Sequence, residues 1–191
     1  MDLKDVTALV AAIGAVVGGG FGLWRWVVDQ KWRRAQYAQS IIKASFDDEL
    51  VRKACEVLDT NDDDVKFPDE DNPKREIYIS DDFLISALAT FDQKEDLTDD
   101  ELCVRSALDK LFDEIDTFQS HIDAGLIKLD DIRPYLEYWI KEMSGNGKVH
   151  DERVAHQIYK FLRYFGYSRA LTLARDMGYP IKEGAPIPKP S

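Results

Sequence analysis

The chain has 191 residues, of which 45% are hydrophobic and 11% aromatic. This composition excludes bulk disorder, and the length fits one domain with a hydrophobic core better than two independent domains. The formal net charge of −11 argues against a protein that binds nucleic acid or an anionic surface through its overall charge, because phosphate affinity comes from clustered lysines and arginines.

The chain opens with a long uncharged segment. No charged side chain occurs from Val6 to Trp24, which is close to the roughly 20 residues that cross a bilayer core as a helix. Tryptophans and basic residues follow, in a pattern typical of an interfacial belt and a stop-transfer boundary: Trp24, Arg25, Trp26, Lys31, Trp32, Arg33 and Arg34. The sequence predicts a transmembrane helix over residues 6–28, with a cleaved signal peptide and a buried core helix as alternatives.

The charges that flank this segment predict its orientation. By the positive-inside rule, the side from Arg25 to Arg34 faces the cytoplasm and the N-terminus lies outside. We therefore expect a single-pass protein of the bacterial inner membrane with a cytoplasmic C-terminal domain. Gly14, Gly18 and Gly22 recur every four residues, which favours close helix approach and predicts self-association in the lipid membrane. The alternative is that small residues are simply common in membrane helices.

The rest of the sequence predicts a mostly α fold. Residues 29–46 keep helical spacing of apolar residues without Gly or Pro, which predicts a juxtamembrane stalk. Residues 47–178 form the predicted cytosolic helical domain. Capping residues and glycine stops within it predict helices at about Asp48–Leu58, Asp81–Thr90, Thr98–Ala124, Asp130–Met143, Asp151–Phe165 and Ser168–Met177.

Two further segments have distinct patterns. Val65 and Phe67 alternate with polar residues, as do Ile77 and Ile79, which predicts a small β-hairpin with its tip at Asp69–Pro73. Residues 179–191 contain four prolines, Pro180, Pro186, Pro188 and Pro190. Because proline lacks the backbone N–H, this segment is expected to form an extended tail.

One segment resembles a calcium-binding loop in part. Asp59, Asn61, Asp63 and Glu70 fall at positions 1, 3, 5 and 12 of an EF-hand loop. However, Asp64 occupies the position that requires glycine. The segment is therefore interpreted as an acidic, solvated loop, and the sequence predicts neither a metal nor a cofactor.

The histidines and cysteines give little sign of catalysis. His121 and His150 lack further ligands at metal-binding spacing, as does His156, and Cys55 and Cys103 lie far apart outside any CxxC motif. We therefore expect that the protein is not an enzyme. A helical ribonuclease that uses Arg153 and His156 is kept as an alternative, although these residues lie closer together than in the nuclease families with that chemistry.

A local basic face is the main electrostatic feature. No acidic residue interrupts the stretch from Arg153 to Arg175. Because guanidinium groups bind phosphate and aromatic rings stack on bases, this stretch predicts a site for a nucleotide, RNA or lipid headgroup. The predicted site residues are Arg153, Lys160, Arg163, Tyr164, Arg169 and Arg175. The alternative is that the basic face pairs with acidic helices of the same protein or of a neighbouring subunit.

The segment from Leu102 to Ile140 resembles uncharacterised small bacterial proteins with an N-terminal membrane helix and a helical cytosolic domain. In these proteins an acidic helix leads to a GLI or GLV turn and then to a PYL-YWI helix. The matching residues are Phe112, Ile115, Gly125, Leu126, Ile127, Pro134, Tyr135, Leu136, Trp139 and Ile140. The resemblance covers about a fifth of the chain and carries no catalytic residues. Some proteins of similar architecture are oligomeric membrane effectors of anti-phage defence.

These observations predict a membrane-anchored helical protein that self-assembles and acts as a defence or stress effector or sensor, perturbing the membrane when triggered. One alternative is a passive anchored adaptor for an unknown cytosolic protein. A second is a helical domain that binds or processes RNA or a nucleotide.

Overall fold

The computed structural model describes residues 3–68 and 75–182, with side chains from Gly18 onward. In these ranges the elements are α1 (Leu3–Asp47), α2 (Glu49–Leu58), β1 (Asp63–Lys66), β2 (Glu76–Ile79), α3 (Asp81–Ala87), α4 (Asp99–Asp123), α5 (Leu129–Met143), α6 (Glu152–Phe165) and α7 (Ser168–Asp176). The mostly α fold with one small antiparallel hairpin is confirmed. The predicted hairpin tip, Asp69–Pro73, and residues 183–191 of the predicted tail lie outside the described residues.

The longest helix after α1 organises the core. The predicted capping box at its start is present, because the Thr98 hydroxyl accepts the Glu101 N–H and the Glu101 carboxylate accepts the Thr98 N–H. One face of α4 packs against α2, α3 and α7. Its buried apolar residues are Val104, Ala107, Leu108, Leu111, Phe112, Ile115 and Phe118. Leu102, near the start of α4, is apolar but 47% exposed.

Most predicted helix ends agree with the structure. Asp48 and Asp151 are N-caps, and Gly166 ends α6 in the left-handed region with φ +86°. The start of α5 differs from the prediction. Lys128 is its N-cap residue and donates its N–H to the Asp131 carboxylate, so Asp130 lies in the first turn of α5.

The C-terminal part of α1 belongs to the folded domain. Ala38 and Ile42 are buried in the core, and the Arg34 guanidinium lies 2.7 Å from the Asp131 carboxylate on α5. Tyr37 packs edge-on against His121 at the end of α4. The predicted stalk over residues 29–46 therefore packs on the domain along its second half.

The predicted localisation requires correction. Within the residues that the structure describes, no helix is long and apolar enough to cross a membrane, so a single-pass inner-membrane protein with its N-terminus outside is not supported. Among the described side chains of α1, seven are charged: Arg25, Asp29, Lys31, Arg33, Arg34, Lys43 and Asp47. A bilayer core requires about 20 mostly apolar residues in succession. The structure does not describe the side chains of residues 6–17 of the predicted span.

The described beginning of α1 is exposed. Every residue from Gly18 to Arg33 is exposed, including Trp24 and Trp26. A Cβ atom added at Gly18 or Gly22 would meet nothing within 4 Å, so no packing within the described chain requires these glycines. The predicted self-association through Gly14, Gly18 and Gly22 stays a prediction, and the Gly14 position lies outside the described side chains.

A partly buried ion pair fixes the connection between α3 and α4. Lys94 Nζ lies 2.6 and 2.7 Å from the two carboxylate oxygens of Glu101 and donates to Ser86 Oγ at 2.8 Å. Burial alone would raise the pKa of Glu101. The hydrogen bonds from Lys94, Ser86 and the Thr98 N–H outweigh that effect and lower the pKa to about 2.

This arrangement predicts a pH-dependent stability. The pKa of Glu101 is lower in the folded state than its ordinary 4.5, so its contribution is present above that value and is lost as the pH falls towards 2. We expect Glu101→Gln to lower the free energy of unfolding at pH 7 by about 2 kcal/mol. The free energy of unfolding of this variant should also decrease less as the pH falls. Urea denaturation from pH 7 to pH 2.5 measures both effects. Glu56→Gln, which affects an exposed ion pair with Lys53, should change little, and equal losses in the two variants would contradict the assignment.

Candidate anion-binding groove

A groove of about 570 Å³ lies between α6 and the segment that follows α3. Its volume falls within the usual range for small-molecule sites, about 300 to 1,000 Å³. Seven residues line it: Thr90, Asp92, Gln93, Tyr159, Lys160, Arg163 and Tyr164. Three of the predicted anion-site residues, Lys160, Arg163 and Tyr164, are therefore brought together here.

A pair of glutamines, Gln93 and Gln157, connects the two sides of the groove, α6 and the segment that follows α3. Gln157 on α6 is 1% exposed, and its Nε2 donates to the Leu88 carbonyl at 2.7 Å and to Gln93 Oε1 at 2.8 Å. Gln93 Oε1 also accepts the backbone N–H and the hydroxyl of Thr90. Because a buried amide without partners is costly, these hydrogen bonds fix residues 88–93 against α6.

Tyr159 and Tyr164 line the groove, and further aromatic rings pack beside Tyr164. Phe91 is 62% exposed, and its ring contacts those of Tyr164 and Phe165 edge-on at 6.2 and 5.7 Å between centroids. The Arg105 guanidinium of α4 lies 5.3 Å from the Phe91 centroid and donates to the Ala89 carbonyl at 3.0 Å. Burial lowers the pKa of Arg105, and the Asp109 charge opposes that shift.

The two cations of the groove have no partner in the described part of the chain. Lys160 and Arg163 lie about one turn apart on α6 and form neither an ion pair nor a hydrogen bond with any described residue. With Asp92 as the acidic lining residue, the groove has a net charge of +1, two cations minus one carboxylate. A protein with a formal charge of −11 thus retains a locally positive concave surface.

The other predicted members of the basic face lie apart and pair with carboxylates. Arg153 donates to Asp82 at 2.9 Å and to Asp151 at 2.7 Å. The nearest acids to the remaining two arginines are Asp116 and Asp123, each 3.7 Å from Arg169, and Asp176, 3.0 Å from Arg175. These pairs are largely exposed and contribute little stability. They do neutralise the charge of these three arginines. For Arg153, Arg169 and Arg175, this agrees with the alternative that the basic face pairs with acidic residues of the same protein.

Two grooves of similar size are less suited to an anion. The first, about 560 Å³ between α2 and α4, has as its basic lining residues Lys53 and Arg75, which pair with Glu56 and Asp100. The second, about 600 Å³ beside the end of α5, has Lys182 in its lining, but the Glu152 carboxylate offsets that charge. His156 lines this groove and Arg153 does not, and the Arg153 guanidinium bonds instead to Asp82 and Asp151.

The cysteines offer no reactive thiol at the groove. Burial, with the charges of Asp59 and Glu56, raises the pKa of Cys55 to about 12, so its thiol stays protonated at neutral pH. Among the described residues, no three acidic, histidine or cysteine side chains are grouped so that they could hold a metal ion.

The chain matches no protein-family model, no curated protein and no solved structure. The resemblance of residues 102–140 to small bacterial membrane proteins therefore stays a prediction, and the groove is interpreted from its own chemistry.

Sequence reasoning missed Thr90, Phe91, Gln93 and Gln157. A usable signal existed for Gln157, which lies among Val154, Ile158 and other buried positions of α6. A polar residue on a buried helical face requires a hydrogen-bond partner. The identity of that partner, in a segment 64 residues away, carries no local signal.

The glutamine pair gives a stability prediction. Gln157→Leu keeps the volume of the side chain but leaves the Leu88 carbonyl and Gln93 without their donor, so we expect the free energy of unfolding to fall by about 1 to 3 kcal/mol. Lys160→Met, a nearby change at a residue without a described partner, should stay within about 0.5 kcal/mol of the wild type. Urea denaturation of both variants tests this, and a neutral Gln157→Leu would show that the pair does not hold the groove.

Proposed function

We propose that this protein is a binding module for a small phosphate-bearing ligand, with nucleotides as the favoured class. The observation that carries the proposal is a pair of cations, Lys160 and Arg163, that have no partner among the described residues and line a concave groove with aromatic residues. Other arginines of the same stretch, Arg153, Arg169 and Arg175, lie beside carboxylates. Two neighbouring cations on one concave surface without a described carboxylate partner therefore favour an external anion.

Each part of a nucleotide has a complementary group in the groove. The Arg163 guanidinium is a planar fork that binds phosphate oxygens in a bidentate manner, and the Lys160 ammonium adds a compact charge. Tyr164 is 50% exposed and offers a ring face on which a base can stack. The size of the groove, about 570 Å³, favours a mononucleotide over a long RNA strand.

The proposal concerns binding only. The expectation that the protein is not an enzyme stays a prediction, as does its role as a self-assembling defence or stress effector. A ligand-binding domain is compatible with a sensor, and occupation of the groove would then be the sensing event.

A charge-reversal experiment tests the proposal. Lys160→Glu combined with Arg163→Glu should weaken ATP binding at least tenfold, because each lost charge-assisted contact costs about 1.5 to 3 kcal/mol. Isothermal titration calorimetry of the full chain at 50 mM salt measures the affinity. The salt dependence of binding should also become shallower in the variant, since fewer counterions are exchanged.

The matched control is Lys43→Glu combined with Arg52→Glu. These residues are exposed on α1 and α2 and have no described partner, so the control changes the net charge equally without touching the groove. ATP affinity that falls equally in both double variants, or that is undetectable in the wild type, would contradict the proposal. Binding of oligo(U) in preference to ATP would identify the ligand as RNA instead.

A further inference from the structure

The groove separates positive and negative charge. Lys160, Arg163 and Asp92 all line it, yet neither cation lies within the 4.0 Å of the Asp92 carboxylate that defines an ion pair. The cations are on α6, whereas Asp92 is on the segment that the hydrogen bonds of Gln157 fix against this helix.

The charges of these three side chains restrict the ligand. A phosphate group beside Asp92 would be repelled, so it is expected beside Lys160 and Arg163. The exposed Asp92 carboxylate forms no hydrogen bond or ion pair with any described residue. Because an ionised carboxylate only accepts hydrogen bonds, a ligand that contacts it does so through a hydrogen-bond donor. A ligand that uses all three side chains therefore carries an anionic group and a hydrogen-bond-donating group.

We propose that Asp92 accepts the two vicinal hydroxyls of a ribose, so that the groove selects ribonucleotides over deoxyribonucleotides. This inference rests on the proposed function of nucleotide binding. A carboxylate has two oxygens and can accept one hydrogen bond from each hydroxyl of a vicinal diol. Acidic side chains recognise ribose hydroxyls in this way in dinucleotide-binding folds. A site that needs a hydroxyl discriminates against a ligand lacking it, because its acceptor then stays unpaired.

Three probes test the inference on the full chain by calorimetry: ATP, 2′-deoxy-ATP and inorganic triphosphate. Unlabelled nucleotides are essential, because common fluorescent labels modify the ribose hydroxyls. We expect ATP to bind at least fivefold more tightly than 2′-deoxy-ATP. Asp92→Asn should remove this difference while strengthening the binding of inorganic triphosphate, since a repulsive charge has gone.

The opposite signs of these two effects exclude a merely structural role for Asp92, which would weaken all three probes together. Asp96→Asn is the matched control, because Asp96 is an exposed acid of the same connection that does not line the groove. It should leave the ratio of ATP to 2′-deoxy-ATP affinity unchanged.

The outcomes separate the two proposals. Equal affinity for ATP and 2′-deoxy-ATP in the wild type overturns ribose recognition and leaves nucleotide binding intact. Loss of discrimination in Asp96→Asn as well as Asp92→Asn also overturns the role of Asp92. If neither nucleotide binds, the proposed function fails, and the inference about Asp92 fails with it.

Discussion

The burial of one face of α4 is the constraint on which the rest of the domain depends. α2, α3 and α7 pack on this helix, and Phe112 of α4 contacts Phe161 of α6 at 5.6 Å between ring centroids. From the same helix, Arg105 extends over three rings, Phe91, Phe161 and Phe165. The position of α6 relative to residues 88–93, and hence the groove, follows from this packing.

Charge is distributed in two ways in this acidic protein. Several basic side chains lie beside carboxylates, as Arg153 does beside Asp82. Carboxylates also accept hydrogen bonds from backbone N–H groups at the starts of helices. Asp116 of α4 accepts the N–H groups of Arg169 and Ala170 at the start of α7, where the helix dipole favours a negative charge. In the groove, Lys160, Arg163 and Asp92 form no ion pair with any described residue, so all three side chains are available to a ligand.

Local features of the fold were predictable, since they depend on residues close in sequence. The capping box of Thr98 and Glu101, the left-handed stop at Gly166 and the alternation of Ile77 and Ile79 each carry their own signal. The uncharged N-terminal segment suggested a membrane span that the described residues do not support. The described side chains of α1 include charged residues from Arg25 onward. These residues interrupt the succession of apolar residues that a bilayer core requires.

The candidate site was predictable only in part. The run of basic residues without acids marked Lys160 and Arg163, but it gave equal weight to Arg153, Arg169 and Arg175. Sequence spacing cannot show which of these meets a carboxylate from another element. The pairing of Arg169 with Asp116, for example, joins residues brought together only by the packing of α7 on α4. The separation of Asp92 from the cations is likewise a property of the folded chain.

Lys160 and Arg163 of α6, which have no partner among the described residues, form the proposed nucleotide-binding site. A map of amide chemical-shift changes in a ¹⁵N-labelled sample of the full chain, titrated with ATP, tests this site directly. We expect saturable shifts concentrated at Gln93, Lys160, Arg163 and Tyr164. Shifts centred on Arg153 or Arg169, or no saturable shift at millimolar ATP, would contradict it.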